Sequence, residues 1–300
     1  MTLNFLHFIV ADIHFAIGAN DTEELKTLLP SYAPFHVPQC KSKPLTLIAE
    51  IKNQAVSISP EGYELGQFDC GGAIHGVYRT NDGYKIIIHS PEGQETCAMM
   101  CNDDFSRCTL SLFGNQSMQR FGLGNAMMIA FAFSAAAKNV ILIHASVVVK
   151  ENHGYLFLGK SGTGKSTHSK LWLTHIEGTK LLNDDNPAVR ITDDGLIKVY
   201  GTPWSGKTPC YINEQYPVGA FLRLKQYPEN IIRSESSIHA FASVLSSCSV
   251  MIWDKPSYGN IIKTVEKTVS QIPVFYLKCL PDKAAALLSY DTIKYRHAEV

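Results

Sequence analysis

Residues 159 to 166 read Gly159-Lys160-Ser161-Gly162-Thr163-Gly164-Lys165-Ser166, which satisfies the spacing G-x-x-x-x-G-K-[ST] in full. The chemistry such a run can do is to hold phosphates. Gly162 and Gly164 let the backbone curl so that consecutive N–H groups point inward, and a helix starting at the loop adds its positive end to the same spot. Lys165 supplies a point charge for the β and γ oxygens, and Ser166 a hydroxyl for a divalent cation bridging them. Thr167 follows as the next hydroxyl. The alternative is an accidental Gly-rich turn, which a motif of this length in the right context disfavours.

Eighteen residues beyond Ser166 stands Asp184, in the run Leu181-Leu182-Asn183-Asp184-Asp185, two apolar residues and an Asn and then paired carboxylates. Hard oxygen ligands suit Mg²⁺, which takes one or two carboxylates beside phosphates and keeps several waters. Successive side chains of a strand point to opposite faces, so the two acids cannot both be plain ligands. One is read as a metal ligand and the other as a general base accepting a proton from an attacking hydroxyl. The competing reading is a solvated turn, because Asp-Asp-Asn-Pro is also good turn chemistry.

His144 lies fifteen residues before Gly159 in an apolar run. Alone it reads as a satisfied core histidine. In this setting it could orient an Asp as a neutral imidazole, or neutralise a transferred phosphoryl as a cation. The segment Gly201-Thr202-Pro203-Trp204-Ser205-Gly206-Lys207 is a second Gly-bearing loop, which either closes over substrate or packs its Trp in the core. Arg190, Arg223 and Arg233 are candidates for a phosphate clamp, and their spacing singles out none of them.

These residues need elements to position them. A strand over Gly154 to Leu158 leads into the loop and a helix over Thr167 to Leu173 leaves it. Upstream, Val140 to Val149 reads as one continuous strand buried on both faces. Ser117 to Asn139 reads as a long apolar helix, whose most apolar stretch, Ala126 to Ala137, is too short to span a bilayer. Downstream the pattern predicts a hairpin around Asp193-Asp194-Gly195, helices over Ile238 to Leu245, Asn260 to Ser270 and Lys283 to Leu288, and a strand over Val274 to Lys278. The first hundred residues alternate apolar and polar positions. Ile9 to Ile17 reads as one half-buried strand, Leu45 to Ile51 as another, and Asn81-Asp82-Gly83 as a hairpin turn between Ala73–Tyr78 and Tyr84–His89. The expected fold is an α/β P-loop domain over residues 116–300 behind a β-rich domain over residues 1–115, a candidate for partner or substrate recognition.

Composition bounds the rest. Three hundred residues suit two domains, and 45% hydrophobic with 18% charged residues is ordinary globular content. Lys and Arg number 27 against 27 Asp and Glu. With no net field, nucleic acid is a poor partner. Eight cysteines are scattered along the chain. With no secretory leader evident, they read as reduced thiols in a cytoplasmic protein. The Cys97-x-x-x-Cys101 pair with Cys108 lacks knuckle spacing and reads as structural thiols, with a zinc site as the alternative.

The order His144-Ala-Ser, strand, GKSGTGKS, helix, Asn183-Asp184-Asp185 resembles the catalytic domain of the HPr kinase/phosphorylase family. It also resembles the nucleotide core of ATP-dependent phosphoenolpyruvate carboxykinase, whose loop has a similar Ser-Gly-Thr-Gly-Lys run. The resemblance covers about residues 140–225. It implies nucleotide phosphates on Gly159, Lys160, Ser161, Gly162, Thr163, Gly164, Lys165, Ser166 and Thr167, Mg²⁺ on Ser166 and an Asp of the pair, taken as Asp184, and His144, Asp185 and Lys165 at the reacting groups. Thr167-His168 stands where the family pattern usually has an acidic residue, and the Gly-rich signature of the bifunctional enzymes is absent. More divergent HPr-kinase-like proteins, similar to kinases of serine in biosynthetic peptides, keep a His-Ala-Ser stretch and match more closely. The implied activity is ATP- and Mg²⁺-dependent phosphoryl transfer to serine of a protein or peptide. The family's hexamers imply a homo-oligomer. The alternatives are a small-molecule kinase or carboxykinase-like enzyme, and a nucleotide-binding regulatory module without fast turnover.

Overall fold

The computed structural model describes residues 2–39, 44–70, 73–206 and 208–297. Lys207 and Cys40 lie outside them. The chain divides into two compact units, one of residues 1–137 and 251–258, the other of residues 138–250 and 259–300.

In the first unit, β1 (Asn4–Val10) and β2 (Ile13–Ala19) form a hairpin where the sequence predicted one strand. Ala11 and Asp12 turn the chain with positive φ of 49° and 59°, the geometry of a two-residue turn that matches the twist of its strands. Helix α1 (Thr22–Leu28) is capped by Asp21, whose carboxylate accepts from the N–H groups of Glu23 and Glu24. Strands β3 (His36–Val37), β4 (Leu47–Ile51), β5 (Tyr63–Cys70), β6 (Ala73–Thr80), β7 (Gly83–His89), β8 (Glu95–Cys101) and β9 (Arg107–Leu112) complete a nine-stranded sheet. Its order is β3-β1-β2-β4-β9-β8-β7-β6-β5. The Asn81-Asp82-Gly83 hairpin lies where it was predicted.

Helix α2 (Gln116–Ser134) was expected to open the second domain, but it packs with the first unit and moves the boundary from near residue 115 to 137. Two contacts fix it there. Gly122 lies so close to β8 that a Cβ would meet the Thr96 carbonyl oxygen at 2.7 Å, and the Phe131 and Phe133 rings pack on Phe15 and Phe105. No helix among the described residues is long and apolar enough to cross a membrane. Cys97, Cys101 and Cys108 are buried thiols, and no cluster of three His, Cys, Asp or Glu able to hold a metal occurs among the described residues.

The second unit holds a mixed sheet. Its strands are β10 (Val140–Leu142), β11 (Ala145–Lys150), β12 (His153–Leu158), β13 (Lys180–Asp185), β14 (Ala188–Ile191), β15 (Ile197–Tyr200), β16 (Gln215–Gln226), β17 (Ile231–Ser234) and β18 (Val274–Cys279), joined by α3 (Lys165–His175), α4 (Ser237–Leu245), α5 (Lys255–Val269) and α6 (Lys283–His297). The main order is β10-β14-β15-β16-β12-β11-β13, with β18 paired to β16 and β17 to β18. The apolar run expected as one strand is broken in two. Ile143 bridges to Cys248 and the His144 N–H donates to the Ser247 carbonyl at 2.7 Å, which takes these two residues out of the ladder. Helices α3 and α6 cover one face of the sheet through Trp172, Ile176, Ala286 and Ile293, packed on Val148, Tyr155, Phe157 and Leu222. Burying this apolar layer is what fixes α3, and with it the loop at its N-terminus, against the strands.

Candidate active site

The loop of residues 159–164 leaves β12 at its carboxyl end, where open α/β sheets place their ligands, and runs into α3. Gly162 and Gly164 have φ of 80° and 101°, and a Cβ at either would meet nothing within 4 Å. Backbone conformation alone therefore calls for glycine there. The loop is braced from within, with the Thr163 hydroxyl and N–H both donating to the Lys160 carbonyl at 2.8 and 3.2 Å. Gly164 caps α3 without a side-chain acceptor, so the first N–H groups of the helix stay available to an anion. Ser161, Ser166 and Thr167 are exposed around them.

Lys165 folds back under the loop. Its Nζ donates to the Gly159 carbonyl at 2.9 Å, and only 9% of the residue is exposed. Burial pushes the ammonium below its ordinary pKa, Asp185 and Asp184 pull it back up, and Arg223 pushes it down. Lys165 thus lies in the field of both acids and of Arg223.

The two acids have different surroundings. In the β11–β13 ladder Asp184 pairs with Ser146 and Asp185 with Ala145, so the acids face opposite sides of the strand as period two requires. Asp184 is 8% exposed, and its Oδ1 is buried with no hydrogen-bond partner. Its ladder partner Ser146 is instead engaged with α3, the Ser146 and Ser169 hydroxyls lying 2.5 Å apart. Asp185 is more open and takes His144. The His144 Nδ1 lies 3.0 Å from Asp185 Oδ1, with the two side chains 40% and 32% exposed. His144 is therefore half-exposed in a strand break, not buried mid-strand. Asn183, fully buried between Thr202 and the Asp185 N–H, donates to the Thr202 hydroxyl at 3.1 Å and accepts from Asp185 at 3.0 Å, which fixes the end of β13.

The second Gly-bearing loop runs along this strand end. Ser205 bridges to Asp185 and the Gly206 N–H donates to the Asp184 carbonyl at 3.3 Å. Trp204 is 7% exposed, so the packed reading holds for the Trp and its neighbours serve the acids as scaffold. His168, two residues beyond Ser166, belongs to the core. It stands edge-on to Phe157 and shares the Ser289 hydroxyl with Trp172.

The three arginines separate here. Arg190 sits on β14 opposite Val140 and Lys198, and Arg233 lies on β17 over the Tyr276 ring. Arg223 reaches the Lys165 environment. Sequence spacing gave no sign of it, since β16 meets β12 only through tertiary pairing.

No family model matches the chain, and no curated protein matches it. Among solved structures it is similar to that of the HPr(Ser) kinase/phosphatase from Coxiella burnetii, with 16% identity and a TM-score of 0.31, over 52% of this chain and 95% of that one. A likeness at that level assigns no chemistry, which is left to the residues above.

Proposed function

We propose that this protein transfers the γ-phosphoryl group of ATP, with Mg²⁺, to a hydroxyl, that of serine in a protein or peptide. The observation that carries the reading is the unequal pair at the end of β13: Asp184 with a buried, partnerless oxygen, Asp185 held by His144, and both within the field of Lys165. Two carboxylates in different environments are fit for two roles.

A divalent cation fits these residues. A buried carboxylate oxygen without a partner carries a desolvation cost of several kcal/mol that a cation relieves, and the exposed Ser166 hydroxyl opens the helix that follows the loop. Asp184 and Ser166 would hold Mg²⁺ there, and the chemistry it would supply is neutralisation of phosphate charge. The loop N–H groups and Lys165 hold the phosphates, which is positioning in a setting where fixed dipoles need no reorganisation. His144 donates from Nδ1 to Asp185 Oδ1 and so fixes the carboxylate. Asp185 Oδ2 is left to take the acceptor's proton.

The test is intact-mass and phosphate-release analysis with ATP and Mg²⁺ against a pool of proteins and serine-containing peptides, run beside Lys165→Ala. The proposal expects a gain of one phosphate on a hydroxyl with wild type only. Binding without transfer to anything would favour the regulatory module. Nucleotide-dependent decarboxylation of oxaloacetate would favour the carboxykinase-like enzyme.

A further inference from the structure

Arg223 carries more information than its three hydrogen bonds require. In the parallel pairing of β12 and β16 it stands beside Leu158, the residue just before Gly159. Three residues further along the strand, the Gln226 amide donates to the Gly162 carbonyl at 3.1 Å, so the end of β16 is tied to the loop. On its other side, Arg223 Nη1 donates to the Ser243 carbonyl at 3.1 Å and to the hydroxyls of Ser246 and Ser247 at 3.0 and 3.4 Å. The Ser247 carbonyl in turn holds the His144 N–H, and His144 holds Asp185. The arginine is therefore anchored between the loop and the His144–Asp185 pair.

A guanidinium has five donors in a planar fork. Here one nitrogen is spent on the turn after α4, and Nε and Nη2 carry no protein acceptor among the described residues. Its charge is also held where Lys165 feels it, two cations brought together at a half-buried site. Holding like charges together costs free energy that an anion between them returns.

We propose that Arg223 is a phosphate ligand of this site, its Nε and Nη2 donating to the terminal phosphate of a nucleoside triphosphate. The assignment rests on the nucleotide reading of the loop and extends it, because a contact to the terminal phosphate makes the site prefer a triphosphate to a diphosphate. The terminal group is the one meant, since it is the phosphate that must lie between the loop and the residues at the acceptor's proton.

The experiment is calorimetric titration with Mg²⁺ and either a non-hydrolysable ATP analogue or ADP, on wild type, Arg223→Met and Arg223→Lys, with a melting curve for each. Losing a charge-assisted contact should weaken analogue binding by about tenfold or more in Arg223→Met. ADP binding should stay within about twofold, and Arg223→Lys should recover part of the loss. Structural damage through the α4 turn would instead lower both affinities together. A parallel fall of both ligands, or no change in either, overturns the assignment. If Arg223→Met melts early, the analogue-to-ADP ratio of Arg223→Lys decides, since lysine keeps the charge and loses the fork; an unchanged ratio there overturns it as well. Wild type that binds neither nucleotide removes the nucleotide reading itself, and with it this one. Wild type that binds both while the ratio ignores Arg223 removes this one alone.

Discussion

Replacing Asp185 with Asn separates the roles of the two acids most sharply. Asn keeps the shape of the side chain and can still accept from His144 Nδ1, 3.0 Å away, but it cannot take a proton from an acceptor hydroxyl. The pair is 40% and 32% exposed, and ion pairs this open contribute about 0–1 kcal/mol to stability, so the melting temperature should move by only a few degrees. Nucleotide affinity should hold or rise slightly, because one negative charge near the phosphates and Lys165 is gone. The rate should suffer instead. A positioned general base contributes roughly 10²- to 10⁴-fold, which at about 1.4 kcal/mol per factor of ten is about 3–5 kcal/mol of barrier. The assay is single-turnover transfer from ATP to the serine peptide identified with wild type, beside equilibrium nucleotide binding. An Asp185→Asn protein with full turnover would refute the base assignment. Loss of binding together with turnover would move Asp185 to the metal.

Asp184→Asn should behave oppositely: Mg²⁺-dependent strengthening of nucleotide binding disappears while Mg²⁺-free binding persists, as a titration with and without the metal would read. Gly164→Val forces a branched side chain into φ of 101°, a strain of at least about 1–2 kcal/mol, and should weaken nucleotide binding and lower the melting temperature by several degrees. His168 gives a pH dependence. Burial pushes its pKa down to about 4, against 6.5 in the unfolded chain. Below pH 6.5 the unfolded chain takes up a proton that the folded chain refuses, so stability falls between about pH 6.5 and 4, by about 3 kcal/mol in all. Denaturant melts across that range should show a larger loss in wild type than in His168→Gln, where buried His7 still contributes some; equal acid sensitivity in the two would contradict it.

Readings that depended on neighbours in sequence carried over best. The strand before Gly159, the helix after it, the Asn81-Asp82-Gly83 hairpin and the opposite facing of Asp184 and Asp185 all follow from short-range periodicity or turn chemistry, and they lie where expected. The failures also have local physical reasons. Ile9 to Ile17 kept its alternation straight through a two-residue turn, because Ala11-Asp12 adopts positive φ without the Asn or Gly that would announce it. Helix α2 is apolar on most sides, so its sequence did not say which sheet it covers; that is decided by how closely Gly122 lets it approach Thr96.

The two halves of the candidate site differ in the same way. Phosphates can be held by consecutive amides of one loop and the helix behind it, so eight adjacent residues suffice to write that half into the sequence. The other half is assembled from residues 144, 185, 223 and 247, joined by the His144 bonds to Ser247 and Asp185 and by the Arg223 bond to Ser247. Nothing about Ser247, a serine near the end of a helix, marks it as the support of a histidine a hundred residues earlier. The break in the apolar run at Ile143-His144 is produced by that same support, since a strand left to its own pattern would have carried His144 into the ladder. The feature that looked most like core in the sequence is thus the one the tertiary fold turns toward Asp185.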